Sequence, residues 1–140
     1  LALKRRPIRN GLILVGGQAA EFSAELAGLN EEQREKVVNS WPGPETWIME
    51  THRFPAWITG GRGTVAVRVP GHEQAREMAR RFGGPLVSTS ANRSGEEPKT
   101  RQDEVGKGFG SLVDYVLPGS TSASLGPSRI RVAATGEVLR

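Results

Sequence analysis

An α/β domain built around a mixed sheet is the fold that this sequence predicts, and three features predict it. Short apolar runs of strand length, GLILV at Gly11–Val15 and TVAVRV at Thr64–Val69, are closed by glycine or proline. Segments of helical character lie between them, the clearest running from Glu73 to Phe82. The 140 residues suit one domain, 1–140, and no repeat, low-complexity stretch or linker divides them.

The elements follow in order. Leu1-Ala2-Leu3-Lys4 reads as the last turn of a helix already under way, ended by Pro7. With no initiator Met, the domain reads as N-terminally incomplete. Gly11–Val15 is the first strand, closed by Gly16-Gly17. Gln18–Leu26 favours helix by propensity, and Gly28 stops it. Asn30 caps the next helix, with Gln33 set for a capping box and Glu31 and Glu32 suited to its dipole. Val37, Val38 and Trp41 form its buried side, and Pro42-Gly43-Pro44 ends it.

Thr46–Glu50 has strand composition, and Thr64–Val69 is a clearer strand. In Glu73–Phe82, Ala75, Met78, Ala79 and Phe82 fall at i, i+3, i+4 and i+7, away from Arg76, Glu77, Arg80 and Arg81. Gly83-Gly84-Pro85 ends that helix and opens a strand into VSTSAN. Thr100 with Asp103 is placed to cap a short helix reaching Phe109, and Tyr115–Leu117 is a strand candidate. Residues 119–126 form a loop of small residues. Arg129–Val132 and Val138–Arg140 then pair as a hairpin turned near Gly136.

Composition removes several chemistries. There is no cysteine, so disulfides, zinc–thiolate sites and thiol nucleophiles are excluded, and a reducing cytoplasm fits best. No apolar run approaches a membrane span. No phosphate-binding G-x-x-x-x-G-K-[ST] loop and no G-x-S-x-G elbow occurs. His52 and His72 are the only histidines and lie in no metal-ligand spacing; Asp103 and Asp114 are the only aspartates, which argues against a carboxylate metal cage. No protein metal site is expected.

Cations and small polar residues remain. The net charge of +4 is unevenly placed: Lys4, Arg5, Arg6 and Arg9 cluster, and no acidic residue precedes Glu21. Such a cluster is either a solvated basic surface or a seat for anionic partners such as nucleotides or nucleic acid. Thr64 and Arg68 share one face of their strand, and Arg68 either points to solvent or lines a polar site. Ser88, Ser90 and Asn92 alternate onto one side of PLVSTSANRSG. That stretch is a turn, or a place where short hydroxyls and an amide meet a polar ligand. Together these groups describe a pocket for a ligand bearing phosphate and carboxylate.

LKRRPIRNGLIL, WPGPET, TVAVRVP, PLVSTSANRSG and PSRIR, in this order and spacing, resemble the YrdC/Sua5 family across the whole chain, and its bacterial short form in particular. The resemblance implies a twisted, mostly parallel sheet with a basic concave face. It also implies a synthase that makes threonylcarbamoyl-AMP and pyrophosphate from L-threonine, bicarbonate and ATP, with Mg2+ carried by the nucleotide. The product would serve threonylcarbamoyladenosine modification of tRNA through a threonylcarbamoyl transferase complex. Position by position, Lys4 and Arg6 match the family's K-x-R pair, and Ser90 and Asn92 its S-x-N pair. The resemblance makes these four catalytic, with Lys4, Arg6, Ser90 and Arg140 on ATP. It places Thr64, Arg68, Ser88 and Ser128 around threonine.

Three departures stand out: the family's upstream P-T-E-[TA]-x-[YF]-G-L segment is absent, Asn10 stands where some members carry Lys, and Arg129 has no evident role. Lacking that segment, residues 1–140 alone are expected to form no product, because a missing strand leaves an unpaired edge and an open pocket wall. Two other readings compete. One is a carbamoyl-transfer domain of the hydrogenase-maturation type. The other is a non-catalytic module that binds tRNA or double-stranded RNA through phosphate contacts.

Overall fold

The computed structural model describes residues 1–121 and 127–140. Five strands form one sheet: β1 (Ile13–Val15), β2 (Glu45–Glu50), β3 (Thr64–Arg68), β4 (Leu86–Ser88) and β5 (Arg129–Val132). Their spatial order is β4-β1-β3-β2-β5. Helices α1 (Ser23–Leu26), α2 (Glu31–Asn39), α3 (Ala56–Thr59), α4 (Glu73–Phe82) and α5 (Gln102–Phe109) lie between them in sequence. The α/β class and the mixed sheet are as expected, but the sheet is not mostly parallel. β1/β3 and β2/β5 pair parallel, whereas β1/β4 and β2/β3 pair antiparallel. The cause is the path through α4, which returns the chain to the far side of β1 running against it.

Strand alternation gives the sheet two unlike faces. Leu14, Val67 and Trp47 lie in one cross-strand row and are fully buried, packed with Phe22, Leu26, Val37 and Trp41. The adjacent row, Ser88, Ile13, Ala66, Ile48 and Val132, faces the other way and is half-exposed throughout. Ordinary core energetics hold the first face, at roughly 1.5–3 kcal/mol per large apolar side chain. The second face is left partly open to solvent.

Local chemistry explains the joints. The Asn30 carboxamide accepts from Gln33 N at 2.8 Å and Gln33 Oε1 accepts from Asn30 N at 3.1 Å, the expected capping box. Gly11 has φ +63°, and a Cβ there would stand 2.8 Å from Ile58 O, so β1 begins two residues later than its apolar run. The expected hairpin forms in minimal length, with a single antiparallel bridge from Arg131 to Val138 and Gly136 at φ +77°.

Several elements differ from expectation. Residues 2–5 are a turn, not a helix. Its bonds, Arg5 N to Ala2 O and Arg6 N to Leu1 O with Arg5 at φ 52°, are nonetheless those of a Schellman helix ending. Gln18–Leu26 splits into a 3₁₀ turn, Ala19–Phe22, and the short α1. Val38 is exposed, because α2 turns only Val37 fully inward. Thr100 does not cap α5, whose N-cap is Arg101 with no side-chain bond.

Tyr115–Leu117 has no strand partner and is not a strand. Residues 122–126 of the expected small-residue loop lie outside the described residues. Along α4 only Ala79 is fully buried, while Met78 and Phe82 are exposed beside the edge strand β4. Its helical spacing is real, but the sheet is too narrow at β4 to cover the whole apolar stripe.

Candidate functional site

The K-x-R and S-x-N motifs, more than eighty positions apart, meet at one end of the open face. The Lys4 ammonium donates to Ser90 O and Asn92 O, and stands 3.4 Å from Asn92 Oδ1. Ser94 N donates to Lys4 O at 2.8 Å, so backbone also ties the two segments. Ser90 Oγ donates to Asn92 Oδ1, and Asn92 Nδ2 donates to Arg93 O at 3.0 Å and Glu96 O at 2.7 Å. VSTSAN is therefore a strand running into a turn that holds a lysine.

Arg6 is close but aimed differently. Its Nε donates to Gly11 O at 3.0 Å, and its Nη2 stands 3.5 Å from Asn10 O. It braces the entry to β1 and adds charge rather than a direct bond to this pole. Burial first, and Arg6 second, hold the Lys4 ammonium below the ordinary lysine value of 10.5. With the folded pKa below the unfolded one, the unfolded chain binds more protons in the interval up to 10.5. Stability contributed by Lys4 therefore rises with pH there. An anion bound at this pole favours the charged form and reverses the shift. We expect NMR titration of Lys4 to give a pKa below 10.5 in the free protein and an upward move when ATP is added. An unmoved Lys4 signal would separate this lysine from the phosphates.

A second polar pole lies at the other end of β3. Thr46 Oγ1 and Ser128 Oγ are 2.6 Å apart and buried. Arg140 donates from Nε and Nη2 to Ser128 O at 3.2 and 3.1 Å. The half-buried Arg68 is held below the usual arginine range by burial first and by Arg140 second, and its Nε is buried without a partner. Among the described residues neither arginine has a carboxylate in ion-pair range. Two guanidiniums without a counter-ion make a seat for an anion.

Thr64 and Ser88 stand on the same open face without joining either cluster by a side-chain bond. Thr64 precedes Arg68 by four positions, about 13 Å along the strand. Ser88 pairs in register with Ile13, which pairs with Ala66 between those two. The sequence-derived residues thus resolve into Lys4, Ser90 and Asn92 at one pole and Arg68, Ser128 and Arg140 at the other. Half-exposed Ile13, Ala66 and Ile48 lie between.

Sequence reading missed Thr46, although alternation beside the buried Trp47 puts it on the same face as Ile48 and Arg68. It also left Arg129 unexplained. The structure pairs its Nε with Glu45 Oε1 at 3.1 Å across β2 and β5, a strand-to-strand ion pair.

The geometry also separates Ser90 from Asn92, which the sequence treats alike. Ser90 is exposed and its hydroxyl bonds only Asn92 Oδ1, whereas the Asn92 side chain closes the loop with two further bonds. Ser90→Ala is expected to lower turnover with a melting temperature within about 4 °C of the parent. Asn92→Ala should lose turnover and about 1–2 kcal/mol of stability together. Melting curves and turnover on the same preparations check both. Full activity in folded Ser90→Ala protein would remove Ser90 from the site.

Fold and face together define a class: an α/β domain whose mixed sheet leaves one face half-exposed, with a cationic cluster toward each end of it. Comparison makes this specific. The sequence profile of the Sua5/YciO/YrdC family, described as Telomere recombination, matches residues 1–140, and the chain belongs to that family. The threonylcarbamoyl-AMP synthase of Hahella chejuensis is 43% identical over 141 residues, covering 100% of this chain and 77% of the relative. The H234A/Y235A variant structure of P. abyssi Sua5 superposes with a TM-score of 0.91 at 28% identity, over 99% of this chain and 44% of that one. P. abyssi Sua5 complexed with L-threonine gives a TM-score of 0.86 at 29% identity, over 94% and 39%. The chain thus spans less than half the length of these two Sua5 chains.

Proposed function

We infer that this chain is the catalytic domain of a threonylcarbamoyl-AMP synthase, a nucleotidyl-transferring enzyme that uses L-threonine, bicarbonate and ATP. One observation carries the reading: two groups of cations stand toward opposite ends of one sheet face, Lys4 at the Ser90–Asn92 turn and Arg68 with Arg140 beside Ser128, with half-exposed Ile13, Ala66 and Ile48 between them. Curated relatives bear that name, and a structural neighbour was solved with L-threonine. The threonine amine and bicarbonate give a carbamate and water. A carbamate oxygen then attacks the α-phosphorus of ATP, and the bond to pyrophosphate breaks.

No covalent protein nucleophile is needed. Lys4 balances charge on phosphate, Arg68 and Arg140 hold the opposite end, and Ser90 and Asn92 orient polar ligand atoms. Thr64, Ser88 and Ser128 line the face where threonine lies, and Arg6 adds positive potential. Magnesium, which would offset the charge of the phosphates, is proposed to arrive carried by ATP. No helix among the described residues is long and apolar enough to cross a membrane, and the cytoplasm, where ATP and tRNA meet, is the proposed compartment. There the product passes to a threonylcarbamoyl transferase acting on tRNA.

The test is threonine-dependent pyrophosphate release from ATP by the full-length protein, with the adenylate identified by mass spectrometry. Product should need both threonine and bicarbonate. Salt-sensitive RNA binding without turnover would favour the non-catalytic reading instead.

A further inference from the structure

Phe109 is 6% exposed, yet it stands apart from the main core beneath the sheet. Its ring is met by cations. The Arg93 guanidinium lies 5.7 Å and the Lys99 ammonium 5.2 Å from the ring centroid, both within reach of the aromatic quadrupole. Both residues belong to the segment 91–99, which carries Asn92.

Gly108, the preceding residue, lets the Lys99 stem lie against α5. A Cβ added there would stand 3.2 Å from Lys99 Cδ and 3.4 Å from its Nζ, with Cε nearer still. Glycine weakens a helix interior, so this close approach supplies a reason for a residue that propensity argues against. The segment is then closed and tied to the site. Lys99 N donates to Ala91 O at 2.9 Å, and Ser94 N reaches Lys4 O.

We propose that Phe109 is a positioning residue: its ring, shared by Arg93 and Lys99, fixes the 91–99 loop and through it the Lys4–Ser90–Asn92 pole. It acts through the loop and touches no substrate. Its effect on the reaction rests on the reading of that pole as the ATP end of the synthase site.

The test uses the full-length protein and the variants Phe109→Leu, Phe109→Trp and Lys99→Met. Amide hydrogen exchange at Ser94 and Lys99 is followed without substrates, beside melting temperature and the ATP KM and kcat. Phe109→Leu should speed exchange at those two amides about ten-fold while leaving Leu14 and Val67 protected. It should raise the ATP KM about ten-fold with a smaller change in kcat. Phe109→Trp, which keeps an aromatic face, should restore both, and Lys99→Met should give part of the loss.

Unchanged exchange at Ser94 and Lys99 in Phe109→Leu would overturn the proposal. So would a uniform rise across the sheet with a lower melting temperature, since Phe109 would then be core packing only. If Phe109→Leu does not fold, Lys99→Met decides, and unaltered exchange at Ser94 counts against the clamp. Selective loosening of the loop in a protein that forms no threonylcarbamoyl-AMP would leave the clamp standing and remove the proposed function.

Discussion

Lys4→Ala in the full-length protein is expected to lower threonylcarbamoyl-AMP formation by about ten- to hundred-fold, with the larger loss at low ATP. The size follows from one charge-assisted contact, about 1.5–3 kcal/mol, removed from an anionic ligand. The structure adds a second cost, because the ammonium also holds Ser90 O and Asn92 O in place. Arg6→Ala should cost less, since its guanidinium is bonded to Gly11 O and Asn10 O rather than to the Ser90–Asn92 turn. Arg5→Ala should be nearly silent, although its φ of 52° gives a glycine there an advantage in stability. Steady-state turnover of the three variants orders them. Equal activity in Lys4→Ala and the parent would remove the lysine from the site.

Arg68→Met should be as damaging to activity and opposite in its effect on stability. Loss of a charge-assisted bond to the ligand again lowers turnover about ten- to hundred-fold. In the free protein, however, Arg68 is half-buried, its Nε lacks a partner, and Arg140 repels it. Methionine fills similar space without that charge, so the melting temperature should hold or rise. Measuring both quantities on one preparation is the check. A fall in melting temperature with activity retained in the folded fraction would make Arg68 a structural residue and dissolve the second pole. Arg140→Met should behave in the same sense but more weakly, because that residue is exposed.

Much of the fold was legible from local chemistry. The Asn30–Gln33 box needs only four consecutive residues, and it formed. β2 and β3 were legible because alternation against a core writes itself into the sequence at period two. α4 was legible in extent for the same reason at period 3.6. The exposure of Met78 and Phe82 was not, because whether a stripe is covered depends on what lies opposite. β4, at the edge of the sheet, covers little. Tyr115–Leu117 has strand composition and no strand partner, and pairing is a property of two segments.

The site divides in the same way. By itself the sequence determined its inventory: the clustered cations, the row of short hydroxyls, the alternation that sets Thr64 and Arg68 on one side, and the family resemblance. Tertiary structure alone decided the grouping. It brought Lys4 onto the carbonyls of Ser90 and Asn92, turned Arg6 toward Gly11, and set Arg140 beside Arg68 over the buried Thr46–Ser128 pair. It also gave Arg129 its partner in Glu45. The reason is range. Caps, turns and periodicity act over a few residues of chain and are written locally. A charge finds its partner across a sheet, where strand order and register set the distance, and no short stretch of sequence carries either.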